Sequence, residues 1–328
     1  MTTSSTHAVR MHQTGGPEVL RWENVELRPP GAGEIRVRHT AIGLNFIDTY
    51  HRTGLYPVAL PAVLGSEAAG VVEELGAGVE LVKKGDRIAY GTGPIGAYAE
   101  ARNLPAAHVV KLPAAVDDVT AAASMLKGMT AQYLCRRIYA VKKGDPILVH
   151  AAAGGVGLML CQWAKHLGAT VIGTVGSEEK AKLAREHGCD HVLFYRTEDV
   201  AARVREITGG ERVPVVYDSV GKDTFLTSLD CLRPRGLMVT FGQSSGPVPP
   251  FDPRLLSQKG SLFLTRPTLN DYVRARPDLE LTAGEVFEVI AAGAVRVRVA
   301  QTYPLRDAER AHRDLEARRT MGSTVLLP

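Results

Sequence analysis

Residues 146–157 read Pro-Ile-Leu-Val-His-Ala-Ala-Ala-Gly-Gly-Val-Gly, and no other stretch so narrows what this chain can fold into. An apolar run of strand length enters a turn of small residues. Residues 158–167 leave it with apolar side chains every three or four positions, the spacing of an amphipathic helix. A second strand pattern, 169–173, and a charged helical pattern, 178–187, complete a β-α-β unit. Within it Ala152, Gly154 and Gly157 hold the places of the three glycines in G-x-G-x-x-G, with alanine in the first. The first makes the tight turn, the second admits a pyrophosphate to the backbone, and the third lets helix and strand close together. The amino terminus of the helix that follows then supplies unpaired N–H groups and a dipole that favour a phosphate. The turn is expected to bind a dinucleotide.

The rest of the chain sets this unit in a larger plan. The first 110 residues carry short β patterns broken by Gly and Pro. From about Thr120 helix formers take over, and strand patterns at 191–193, 213–218 and 236–241 continue the alternation with helices. Alternation of this kind implies an α/β fold with a doubly wound parallel sheet. After Lys259 the pattern is mixed: a strand at 261–265, helices at 285–292 and 307–318, and a closing strand at 323–327. At roughly 150 residues per domain, 328 residues suggest two domains.

Composition removes other classes. The chain is 45% hydrophobic and 23% charged, which excludes a fibrous or wholly disordered protein. A net charge of +4 without a basic stripe argues against nucleic acid. The uncharged run 146–164 is long enough to raise a membrane helix, but His150, Gln162 and the Gly154-Gly155 pair interrupt it. Cys135, Cys161, Cys189 and Cys231 show no metal-site spacing, and residues 1–16 are polar without an apolar segment. Both point to a reduced, cytoplasmic setting.

Cofactor choice is written after the second strand. An NAD site usually places an acid there to bond the ribose 2′-hydroxyl. This chain reads Gly173-Thr174-Val175-Gly176-Ser177, with Lys180 following, and Tyr195-Arg196 after the next strand. Those residues suit a 2′-phosphate and favour NADPH, although Lys180 and Arg196 have an alternative as solvated charges beside Glu178 and Glu179.

Six segments resemble one family: 43–48 (Gly-Leu-Asn-Phe-Ile-Asp), 65–70 (Gly-Ser-Glu-Ala-Ala-Gly), 84–87, 151–157, 217–221 (Tyr-Asp-Ser-Val-Gly) and 235–237. The chain is similar throughout to the zinc-free quinone oxidoreductases of the medium-chain dehydrogenase/reductase superfamily, the bacterial NADPH:quinone reductases and ζ-crystallin relatives. That resemblance implies a GroES-like β domain over 1–124, a Rossmann NADPH-binding domain over 125–263, and a return segment, 264–328, completing the first domain. It implies a cofactor in the cleft between domains and a homodimer whose sheets meet at the strand 261–265. Zinc dehydrogenases of the superfamily hold their metal with Cys and His where this chain has Asn45 and Ser66, so no metal is expected.

By the same resemblance, Asn45, Tyr133, Gly155, Val156, Gly176, Lys180, Tyr195, Phe241 and Arg318 line the NADPH site, with Ser177 and Ser219 beside them. Asn45, Tyr50, Tyr56 and Arg266 would form the quinone pocket. Each has a plainer alternative: Tyr56 as turn packing, Asn45 as the tie at a helix start, Arg318 as a surface charge, His150 as a satisfied core histidine. The expected reaction passes electrons from nicotinamide C4 to a stacked quinone, with charge on oxygen met by Asn45, Tyr50 or Arg266. Reduction of an enal or enone C=C bond is the nearest rival. A ζ-crystallin-like structural or RNA-binding role is another, with neither a basic stripe nor an aromatic platform to support it.

Overall fold

A computed structural model describes residues 4–328; Met1–Thr3, part of the polar amino terminus, lie outside the described residues. The chain forms two units, residues 1–129 with 273–291 and 297–328, and residues 130–272 with 292–296. The first division falls inside a helix, a few residues beyond the expected boundary at 124.

The first unit is built on strands β1 (Ser4–Met11), β2 (Arg21–Leu27), β3 (Glu34–Leu44), β4 (Ala62–Val63), β5 (Glu67–Leu75), β6 (Arg87–Tyr90), β7 (Ala101–Pro105) and β8 (Val110–Lys111). Helix α1 (Phe46–Thr53) follows β3, and α2 (Asp118–Ala122) and α3 (Met125–Gln132) follow β8.

The second unit alternates. Strands β9 (Pro146–Val149), β10 (Thr170–Val175), β11 (His191–Phe194), β12 (Val213–Asp218), β13 (Leu232–Thr240) and β14 (Phe263–Thr265) are joined through α4 (Gly155–His166), α5 (Glu178–Glu186), α6 (Val200–Ile207), α7 (Phe225–Cys231) and α8 (Arg254–Gln258). All neighbours are parallel, in the order β11-β10-β9-β12-β13-β14. Numbered from β9 this is 3-2-1-4-5-6, the doubly wound order, with its switch point between β9 and β12. Ligands bind such sheets beyond the carboxyl ends of the strands at that point.

Past α9 (Leu269–Tyr272), helices α10 (Arg276–Ala291) and α11 (Ala308–Glu316) and strands β15 (Val299–Pro304) and β16 (Ser323–Leu327) return to the first unit. β16 pairs antiparallel with β3, Val325 opposite Gly43, and extends the seven-stranded sheet. Leu305, Ala308, Ala311 and Leu326 join Ile42, Leu64, Tyr98 and Leu104 in its core. The apolar faces of α11 and β16 are buried there, whereas residues 264–272 and 292–296 belong to the second unit.

Two local readings shift. The strand expected at 261–265 begins only at Phe263, since Ser261 takes a φ of 56°, outside the extended region. The helical pattern after Tyr133 is a π-helical turn, Tyr133–Ile138, continuing α3. Among the described residues no helix is long and apolar enough to cross a membrane.

Candidate functional site

In the second unit, the glycine-rich turn lies at the carboxyl end of β9. Gly154 caps α4 with no side chain engaged, so the N–H groups of the first helical turn are left to an external acceptor. A Cβ on Gly157 would stand 2.3 Å from the Ala151 carbonyl oxygen, so only glycine lets the helix close on the turn. Ala152 in the first glycine place is accommodated from the next strand: a Cβ on Gly173 would lie 2.7 Å from the Ala152 methyl. This cradle fits a pyrophosphate.

The second corner is at the end of β10. Ser177 caps α5, its Oγ accepting the Lys180 N–H at 3.4 Å. A Cβ on Gly176 would meet the Tyr195 hydroxyl at 2.8 Å, so the bare backbone of Gly176 lets that phenol come close. Arg196 packs over the Tyr195 ring at 5.8 Å. Gly176, Ser177, Lys180 and Tyr195 therefore share one corner with no acid ending the strand, and it fits a 2′-phosphate. Ser219 and Phe241 follow β12 and β13, where the Phe241 N–H donates to Asp218 O at 2.8 Å. Tyr133 stacks on Tyr272 at 4.6 Å, and burial pushes its phenol pKa up, with the nearby Arg266 opposing. Arg266 Nη1 donates to Thr240 O at 2.9 Å.

In the first unit, Asn45 caps α1 and its backbone N–H donates to Asp48 Oδ2 at 2.9 Å. Its amide nitrogen donates to Glu67 Oε2 at 2.8 Å and to Gly43 O at 3.3 Å. Glu67 Oε2 also takes Lys127 Nζ at 2.7 Å, and Oε1 takes the Leu126 N–H. Tyr50 stacks edge-on with Tyr56 at 5.3 Å and Phe46 at 5.6 Å, so the structure brings Asn45, Tyr50 and Tyr56 onto one helix and its following turn. Arg318 belongs to the first unit, after α11, with a φ of 59°. Burial raises the Asp48 carboxyl to about 7, against the Asn45 N–H and Tyr98 hydroxyl that stabilise its anion.

Sequence reasoning missed Lys127 and Glu67. Their signal was weak, a lysine inside an apolar helical stretch and an acid in Gly65-Ser66-Glu67, 60 residues apart. Together they bear on metal. A zinc site here would have an amide, a hydroxyl and a carboxylate already neutralised by an ammonium, a donor set that does not fit zinc. Among the described residues there is no cluster of three His, Cys, Asp or Glu able to hold a metal. His150, fully buried, bonds Thr174 and Ser228.

Residues 31–114 match the family described as alcohol dehydrogenase GroES-like domain, and residues 155–277 that described as zinc-binding dehydrogenase. The chain is 56% identical to a quinone oxidoreductase of Pseudomonas aeruginosa, over 96% of this chain and 97% of that protein. It is 49% identical to a 2-haloacrylate reductase of a Burkholderia species, over 98% of each. Its structure is similar to that of Escherichia coli quinone oxidoreductase complexed with NADPH, at a TM-score of 0.97 and 51% identity, covering 99% and 100% of the two chains.

Proposed function

Because the chain belongs to the quinone oxidoreductase family, within the medium-chain dehydrogenases and reductases, we propose that it reduces quinones at the expense of NADPH. The observation that carries this reading is the acid-free corner of Gly176, Ser177, Lys180 and Tyr195 beside a glycine-capped pyrophosphate turn with no side chain at its N–H groups. Ala152, Gly154, Gly155, Val156 and Gly157 receive the pyrophosphate, and the corner receives the 2′-phosphate. Tyr133, Ser219 and Phe241 line the remainder. The bound dinucleotide supplies a hydride at nicotinamide C4.

On the quinone side the first unit offers the Tyr50 and Tyr56 hydroxyls as partners for charge developing on oxygen. Asn45 holds its place through Glu67, and its amide hydrogens are already directed to Glu67 and Gly43. No metal takes part in this reading, in keeping with the Asn45, Ser66 and Lys127 environment. Preference for NADPH over NADH, a homodimer joined along β14, and a cytoplasmic location belong to the same proposal. The edge position of β14 and the 62% exposure of Phe263 support the dimer. Four free, buried cysteines suit a reducing compartment.

The test is a steady-state comparison of 1,4-benzoquinone, naphthoquinones and enones with NADPH. The quinones are expected to show the higher kcat/KM, and NADPH oxidation by none of them overturns the reading. The 2-haloacrylate reductase relative favours a second reading, C=C reduction, which an enone or haloacrylate preferred over every quinone would establish.

A further inference from the structure

His150 stands immediately before the dinucleotide turn, and its ring is strung between two hydroxyls. Nδ1 lies 2.9 Å from Thr174 Oγ1 and Nε2 3.0 Å from Ser228 Oγ. Ser228 donates its single hydroxyl hydrogen to Asp218 Oδ2 at 2.9 Å. Nε2 therefore carries the imidazole hydrogen, and Nδ1 accepts from Thr174. Burial lowers the His150 pKa and keeps the ring neutral, with Asp218 opposing. Asp218, in turn, accepts from the Val220 and Gly221 N–H groups and the Thr224 hydroxyl. One chain of bonds thus fastens the carboxyl ends of β9, β10 and β12 to α7.

The residue next to this anchor is Ala151, with a φ of 53°. A left-handed backbone is uncommon for a side chain with a Cβ, and it persists where its surroundings over-determine it, often at functional sites. Here His150 is held at three points, its ring at Thr174 and Ser228 and its N–H at Tyr217 O, 3.0 Å away. Ala151 O accepts the Gly154 N–H at 2.9 Å, and Thr174 O accepts the Ala152 N–H at 3.1 Å. Thr174 therefore grips the turn through both its backbone and the imidazole, two residues before Gly176.

We propose that His150 is a positioning residue for the dinucleotide: its fixed imidazole holds Ala151 left-handed and sets the pyrophosphate turn in register with the corner at Gly176. The proposal rests on the NADPH reading above. It assigns His150 no proton transfer, since both ring nitrogens are committed to hydroxyls.

The test titrates NADPH and NADH by fluorescence into the wild-type chain and into His150→Leu, His150→Gln and Ser228→Ala, with thermal melts and steady-state kinetics alongside. His150→Leu is expected to weaken both dinucleotides about tenfold, raising the cofactor KM more than it lowers kcat and leaving the quinone KM in place. His150→Gln, whose amide offers both a donor and an acceptor, should recover most of that affinity. Ser228→Ala should show an intermediate loss, and it carries the test if His150→Leu does not fold. A lowered Tm with unchanged dinucleotide Kd in the folded variants, or a Gln variant as weak as Leu, overturns the proposal. A wild-type chain that binds neither dinucleotide sinks the NADPH reading instead.

Discussion

Lys127 Nζ sits 2.7 Å from Glu67 Oε2, with the lysine side chain 6% exposed and the glutamate fully buried. Removing one member of such a pair strands the other charge, at a cost of about 3–5 kcal/mol. Lys127→Met is therefore expected to lower stability by that order in urea unfolding. Lys127→Met with Glu67→Gln should recover a large part of the loss, because no lone charge is then buried. A single variant as stable as the wild type would refute the ion pair. Glu67 also orients Asn45, so the single variant should lose quinone reduction beyond what its unfolded fraction explains.

In the proposed reading Lys180 contacts the cofactor's 2′-phosphate. A hydrogen bond to a charged group contributes about 1.5–3 kcal/mol, reduced by solvent screening at this half-buried position to about 1–2. Lys180→Ala should raise the NADPH KM roughly 5- to 30-fold and leave the NADH KM within about twofold. The phosphate is far from the reacting carbon and is held alike in ground and transition states, so kcat should change little. Equal kcat/KM for both dinucleotides in the wild-type chain would remove Gly176 and its neighbours from cofactor selection.

Stability should fall on acidification, and the sign follows from three buried groups. Burial lowers His39 to about 4, and burial with Arg52 lowers His312 to about 3. Between about pH 6.5 and 4 these imidazoles take up protons only when the chain unfolds. Asp48, raised to about 7 by burial, does the reverse and holds its proton in the folded chain over the same interval. Two protons against one, with His150, His51 and His108 shifted by burial in the same direction as His39 and His312, leave the unfolded chain with at least one more, so stability drops by at least about 1.4 kcal/mol per pH unit. Asp48→Asn removes the opposing group and should steepen the fall. Urea midpoints at pH 4.5, 5.5 and 6.5 for both chains check it, and equal slopes would mean that Asp48 is not protonated in the fold.

The edge strand carries the association prediction. β14 closes one side of the parallel sheet, and Phe263 is 62% exposed on it. A bare apolar edge invites pairing with a second copy. Light scattering at micromolar concentration should give the mass of two chains, and Phe263→Glu should shift it toward one. A wild-type monomer ends the dimer reading.

Sequence alone determined the α/β class, the dinucleotide turn and the absent strand-end acid. These are signals of local spacing, carried by residues within about 30 positions of one another, and backbone sterics and helix or strand periodicity read them directly. The 213–218 and 323–327 strands were legible for the same reason. Tertiary structure decided what depends on distant partners. Ala152 is tolerated in a glycine place because Gly173, on another strand, has no side chain there. Lys127 looked like one charge in a helix until folding put it against Glu67. His150 became a brace only when Thr174 and Ser228 were brought to its two nitrogens. Asn45 caps α1, and the direction of its amide hydrogens was set by Glu67 and Gly43. Such pairings arise because burial leaves each polar group only the partners that packing brings within hydrogen-bond reach, and no spacing along the chain records them.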